Sequence, residues 1–142
     1  MGLSSLLYVS RSTIPPKEAE DVLNQIVATS ASKNPVLGLT GTLLFTGTHF
    51  AQVLEGENAS IDALMALISI DPRHDQVRII ERGPLARRRF VNWGMAYFGP
   101  SRFVSRHVTR LLSACSPPEQ RRAADWLTEL MREFATDLDA VE

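Results

Sequence analysis

One stretch of the chain leaves the fold little freedom. Leu39-Thr-Gly-Thr-Leu-Leu-Phe45 is followed by Thr46-Gly47-Thr48 and then by His49-Phe-Ala-Gln-Val-Leu54. Two apolar runs of strand length, separated by three residues that include a glycine, read as paired strands joined by a tight turn at Gly47. A chain that carries this hairpin must build a sheet around it.

The flanking segments supply the rest of that sheet. Leu6, Leu7, Tyr8 and Val9 form a first apolar run, closed by Ser10-Arg11-Ser12 and Pro15-Pro16. Ala19, Val22, Leu23, Ile26 and Val27 then recur at helical spacing to about Ser30, with Pro16 suited to the first turn. After the hairpin, Asn58 is placed to cap a second helix whose stripe is Ile61, Leu64, Met65, Leu67 and Ile68, and Asp71-Pro72 stops it. Val77–Ile80 and Phe90–Phe98 predict two more strands. The order β-α-β-β-α-β-β predicts an α+β fold, a ferredoxin-like sheet with one added strand and two helices on one face.

Beyond Gly99-Pro100 the pattern changes to two helices, one on Phe103, Val104, Val108, Leu111 and Leu112, the other on Trp126, Leu127, Leu130, Met131 and Phe134. Residues 1–99 are thus expected to form the principal domain and 100–142 a helical extension. About forty residues are too few for a core of their own, so the extension should dock on the open sheet face or on another subunit.

Charge excludes some partners. With 15 basic and 16 acidic residues the net charge is -1, which gives no footprint for nucleic acid or an anionic membrane. The lone cysteine, Cys115, excludes an internal disulfide, fits a reducing cytoplasm and is expected to be a small buried residue. No segment reads as a secretion signal or a membrane span. Arg87-Arg88-Arg89 reads as a solvated face or edge protection.

Several polar residues sit in apolar surroundings. Gln52 shares a strand face with Phe50 and Leu54, where an amide must find partners; a core glutamine bonded to backbone satisfies that need, and so does a ligand. Tyr8 is open to the same two readings. Asn34-Pro35 can end a helix, because asparagine tolerates the left-handed conformation found there. Arg73 and His74 suit a solvated loop or a helix C-terminus. Trp93 and Met95 suit packing or the wall of a pocket.

In order along the chain, these pieces resemble the BLUF family, the sensors of blue light using FAD, across residues 4–99. Tyr8-Val-Ser-Arg11 is similar to its first-strand motif, Asn34-Pro-Val-Leu-Gly-Leu-Thr-Gly41 to its helix-to-strand segment, and His49-Phe-Ala-Gln-Val-Leu-Glu-Gly56 to its glutamine strand. Asp71-Pro-Arg-His74 resembles its helix-end motif, and Arg88-Arg-Phe-Val-Asn-Trp-Gly-Met95 its last-strand motif.

The resemblance implies that FAD, or FMN in its place, inserts its ring between the two helices. Tyr8, Asn34, Gln52, Arg73, His74 and Met95 would contact it, and Trp93 with Met95 would relay the signal. It further implies that Tyr8 yields an electron and a proton under light, that both return, and that Gln52 is left with altered bonds, with no net chemistry. An amide suits this role because it carries a donor and an acceptor that can trade places. Output is expected through the last strand and terminal helices, to a separate protein or within a homo-oligomer. Two rivals stand beside it: a small enzyme, for which no nucleophile-base pair or phosphate loop is visible, and a pigment-free interaction module.

Overall fold

The computed structural model describes residues 2–98 and 102–141, with side chains described for 2–95 and 104–135. Five strands, β1 (Leu3–Ser12), β2 (Thr40–Phe45), β3 (His49–Gly56), β4 (His74–Leu85) and β5 (Trp93–Phe98), lie in the order β4-β1-β3-β2-β5. The first helix, α1 (Ala19–Lys33), connects β1 to β2 and leaves a gap that β3 fills. The second, α2 (Asn58–Ser69), connects β3 to β4 on the far side of β1. These four strands pair antiparallel, the ferredoxin-like arrangement expected, and β5 joins the opposite edge parallel to β2.

Three boundaries differ from the sequence reading, each for a local reason. β4 extends well past Val77–Ile80 because it is an edge strand, half exposed, so most of its residues carry no apolar signal. β5 begins at Trp93 rather than Phe90, since residues 88–90 are anchored to Glu55 of β3, through its backbone carbonyl and its carboxylate, instead of a ladder. Asn58 does not cap α2: Glu57 precedes the helix, and the Asn58 amide oxygen accepts from Arg82 at 2.9 Å.

The sheet has an apolar core on each face, a consequence of strand alternation. Leu6, Tyr8, Leu43, Phe50, Leu54 and Trp93 pack toward α1 and α2. Leu7, Val9, Leu44, Ala51, Val53 and Phe90 pack toward α3 (Arg102–Leu112) and α4 (Pro117–Val141). Val104, Val108, Leu111, Ala124, Leu127 and Met131 bring those helices down, all 2% exposed or less, so the extension docks on the open face. Burying each of the larger side chains contributes about 1.5–3 kcal/mol. Cys115 corrects the sequence reading: it is exposed, in the connection between α3 and α4. No helix among the described residues is long and apolar enough to cross a membrane.

Two details fix how the strands meet. Gly41 has φ 143°, and a Cβ there would lie 1.9 Å from the Val53 carbonyl oxygen, so only glycine lets β2 approach β3 at this point. Glu55, fully buried at the end of β3, accepts from the backbone N–H groups of Arg89 and Phe90, from Arg89 Nε and from the Thr40 hydroxyl, at 3.0–3.2 Å. Arg88 donates to the Glu55 and Gly38 carbonyls and to Thr40 Oγ1, each at 2.9 Å. Arg87 and Arg88 are exposed, as expected of a solvated cluster, but Arg88 also ties the backbone of the β2 entry to β3, and half-buried Arg89 is an internal tie to Glu55.

Candidate functional site

Between α1 and α2, above the sheet, lies a cavity of about 240 Å³. Helical spacing builds its walls: Ile26, Ser30 and Lys33 stand one turn apart on α1, while Leu64, Leu67 and Ile68 face them from α2. Tyr8, Leu43, Phe50, Gln52 and Trp93 form the floor, and Asn34, Asp71, Arg73 and His74 complete the rim. The opening is flanked by the half-exposed apolar side chains of Leu37 and Leu67.

Gln52 is the centre of the floor and 5% exposed. Tyr8 stands directly opposite it in the β1–β3 ladder, and Leu43 opposite it in the β2–β3 ladder. Trp93 Nε1 donates to Gln52 Oε1 at 2.9 Å, and Gln52 Nε2 donates to the Tyr8 hydroxyl at 2.6 Å. The orientation of the amide follows from its neighbours, because an indole N–H can only donate and so demands the carbonyl end. Tyr8 then receives with a lone pair and keeps its own O–H to donate. Burial drives the Tyr8 pKa well above its ordinary value; the Gln52 bond opposes this in part, and the Asp71 carboxylate reinforces it.

Asn34 is 2% exposed, and its Nδ2 finds no hydrogen-bond partner among the described residues. A buried amide donor left unmet costs about 1–3 kcal/mol, which marks it for an acceptor that arrives from outside the chain. Asn34 does end α1, but in right-handed helical geometry, and its carbonyl receives the N–H groups of Leu37 and Leu39. The left-handed position falls instead on Gly38, with φ 71°.

The rim is held by charge. Arg73 Nε donates to both carboxylate oxygens of Asp71 at 2.9 and 3.0 Å, and the Arg73 backbone N–H donates to the same carboxylate at 3.0 Å. Those bonds hold the Asp71 carboxyl below its usual pKa, and burial offsets them only in part. His74 Nε2 donates to the Ile68 carbonyl at 2.6 Å, leaving Nδ1 to the Ser10 hydroxyl at 2.7 Å. Its ring stands edge-on to Tyr8 and to Phe50, with centroids 6.2 and 5.9 Å away. Both ring nitrogens thus tie β4 to α2 and β1.

The structure brings together Tyr8, Asn34, Gln52, Arg73, His74 and Trp93 around one cavity. Met95 lies beside Leu43 in the β2–β5 ladder and packs against the same core, but it lines an adjoining cavity of about 520 Å³ near Asn92 and Arg132. Sequence reasoning did not single out Lys33 or Asp71 as site residues. The signal was present, since Ile26, Ser30 and Lys33 repeat at i, i+4 and i+7, and Asp71 precedes Arg73 by two.

The donors and acceptors suit a flat heteroaromatic ring with carbonyl groups and ring nitrogens. Asn34 offers an unmet donor, Tyr8 an unspent hydroxyl, Arg73 a cation, and Leu43, Ile26 and Leu64 apolar faces. The residues present fit a flavin.

The comparisons with known proteins agree. A family profile described as "sensors of blue-light using FAD" matches residues 3–96. The photoactivated adenylate cyclase subunit alpha of Euglena gracilis is 36% identical over 93 residues, 66% of this chain and 9% of that protein. The subunit beta of Euglena longa is 33% identical over 94 residues, 66% of this chain and 11% of that protein. The chain therefore spans about a tenth of the length of these curated relatives.

Among solved structures, BlrB, described as a BLUF protein in its dark state, superposes with a TM-score of 0.71 at 34% identity, covering 95% of this chain and 97% of that one. Klebsiella pneumoniae BlrP1, solved with FMN and cyclic diGMP, gives 0.60 at 39% identity over 68% of this chain and 26% of that one. Both the sequence match and the architecture place residues 3–96 in one group of light sensors. The chain belongs to the BLUF family, the sensors of blue light using FAD.

Proposed function

We propose that this protein holds oxidised FAD between α1 and α2 and reports blue light through the Tyr8–Gln52–Trp93 hydrogen bonds to a separate partner protein. The observation that carries the reading is the buried, unmet Nδ2 of Asn34 at the rim of a cavity floored by Tyr8 and Gln52. BlrP1, solved with FMN, supports the shorter flavin as an alternative ligand.

Bound flavin supplies the blue absorption and, when excited, a strong one-electron oxidant. Asn34 grips the ring through Nδ2, and Arg73, steadied by Asp71, provides a cation at the rim. His74, on the rim, buttresses Tyr8 and Phe50 of the floor, while Met95 acts with Trp93 as relay. Tyr8 gives up an electron and then its hydroxyl proton, since a phenol that has lost an electron is far more acidic than its ordinary pKa of about 10 suggests. Both return to Tyr8, so no covalent bond changes on balance.

Gln52 turns over during that interval. Its carbonyl then accepts from the Tyr8 O–H, and its NH₂ faces the side where Trp93 donates. Donor against donor cannot bond, so Trp93 loses its acceptor and β5 its tie to β3. The change runs along β5 to α3 and α4, two states of one network biasing a larger equilibrium.

The outer face of α3 and α4 offers a docking surface in Trp126, which is 63% exposed and stacked on His107 at 6.3 Å. The reading carries with it a cytoplasmic location and self-association, checked by fractionation and sedimentation. The decisive measurement is the visible spectrum before and after blue light. Flavin bands with a reversible red shift are expected; a colourless protein or an unmoved spectrum overturns the proposal.

A further inference from the structure

The carboxylate of Glu55 and the contact between Trp93 and Gln52 lie on opposite faces of the sheet yet close a short circuit. Gln52 and Glu55 are three residues apart on β3. Glu55 accepts from the N–H groups of Arg89 and Phe90, and from there the chain reaches Trp93 in three more residues before returning to Gln52. Apart from the Arg88 ties, residues 88–92 form few other bonds: the Asn92 carbonyl receives the Gly41 N–H at 3.1 Å, and Arg89 reaches the Ser5 hydroxyl.

We infer that Glu55 is the positioning residue that sets where β5 begins, and so whether the Trp93 indole reaches Gln52. The arrangement is physically suited to that task. A carboxylate with two oxygens receives two successive backbone N–H groups and the Arg89 guanidinium, which fixes both the height and the direction of the chain entering β5. Charged acceptors make shorter, stronger bonds than neutral ones, and a buried one leaves its donors no substitute in water. Arg88 adds a second point of attachment on the Glu55 and Gly38 carbonyls, which links β5 entry to the loop that follows Asn34.

The start of β5 thus carries the Glu55 anchor in addition to the β2 ladder, which continues to Phe98 beside Phe45, and the strand runs on toward α3 and α4. When the Trp93 bond is lost, β5 gives up one tie at its start while the Glu55 anchor and the β2 ladder persist, so the strand shifts against fixed neighbours rather than coming free. For this photocycle consequence the inference rests on Gln52 being the switching amide; the positioning role itself is a property of the unlit protein.

The test uses the full chain purified with its flavin, in the variants Glu55→Gln and Arg89→Lys. The chain has two tryptophans, so its ¹H–¹⁵N spectrum carries two indole N–H signals, with exposed Trp126 as internal control. Glu55→Gln should raise solvent exchange of the Trp93 indole N–H about tenfold while backbone amides of α1 and α2 and the Trp126 signal stay unchanged. Unchanged Trp93 exchange overturns the inference, and so does a uniform rise across the whole core, which marks a merely structural role. Should Glu55→Gln fail to fold, Arg89→Lys leaves the carboxylate and both backbone bonds in place, and about a threefold rise in Trp93 exchange is expected; no rise overturns it.

A second arm reads thermal recovery of the lit state. Glu55→Gln should change the recovery rate several-fold in the native sequence and leave it unchanged in a Trp93→Phe background, the non-additivity expected of residues that act in series. Equal effects in both backgrounds overturn the inference. Absence of any light response overturns the sensor proposal alone and leaves the exchange result standing.

Discussion

Tyr8 and Gln52 face each other across the β1–β3 ladder, and their side chains meet at 2.6 Å beneath the cavity, with the tyrosine hydroxyl as acceptor. In Tyr8→Phe the Gln52 NH₂ loses that acceptor while the ring still fills the floor. Flavin should remain bound, the reversible red shift should vanish, and stability should fall by about 1–3 kcal/mol in urea titration. A full photocycle in this variant would remove Tyr8 from the mechanism.

The burial that raises the Tyr8 pKa has a signed consequence. In the unfolded chain the phenol ionises near pH 10, whereas in the folded protein it resists. The unfolded state therefore binds fewer protons above that pH, and folding stability should decline as pH climbs past about 10. Urea midpoints measured between pH 8 and 11 check this, with Tyr8→Phe showing a flatter profile.

Asp71 titrates with the opposite sign. The Arg73 guanidinium lowers its pKa, so the rim pair stabilises the fold at neutral pH and that contribution fades as pH drops below the ordinary carboxylate range near 3.8. Asp71→Asn should bring the acid-unfolding profile closer to that of a protein without the pair, as followed by circular dichroism.

Asn34→Ala removes the one buried side-chain donor left without a partner among the described residues. Loss of a single hydrogen bond of about 1.4 kcal/mol predicts roughly tenfold weaker flavin binding. The apoprotein should be no less stable than the native one, because the deleted amide nitrogen had no partner to lose. Fluorescence titration with FAD and FMN measures both affinities.

Leu127→Ala probes the other face of the sheet. Leu127 is fully buried against the side opposite the cavity, so the substitution should cost about 2–5 kcal/mol. Flavin absorption in the dark should be unaltered, while light-dependent changes in amide exchange of α4 should be weakened. A shifted dark spectrum would mean that the two faces are not separable.

Much of this organisation was legible in the residues. The hairpin around Gly47 and the stripes of α1 and α2 are dense apolar patterns, and periodicity reads such patterns well. The site residues were legible only through their order, since Gln52, Tyr8 and Asn34 each have ordinary structural roles open to them. What the pattern hid depends on contacts between distant segments. Glu55 looks like any acidic residue at a strand end, and nothing near it in sequence tells that Arg89 comes to cover it. Trp93 could face either way on its strand; its bond to Gln52 is decided by where β5 starts. Cys115 escaped because burial of one residue in a helix connection has no periodic signature.

Strand alternation puts Gln52 on the cavity side of β3 and its neighbours Ala51 and Val53 on the side of α3 and α4. The sheet is a partition one backbone thick, with a chromophore chamber above it and a docking floor below. A signal that starts at Gln52 need not cross the molecule. It has only to change the shape of the wall that both compartments share, because α3 and α4 are seated directly on the back of that wall.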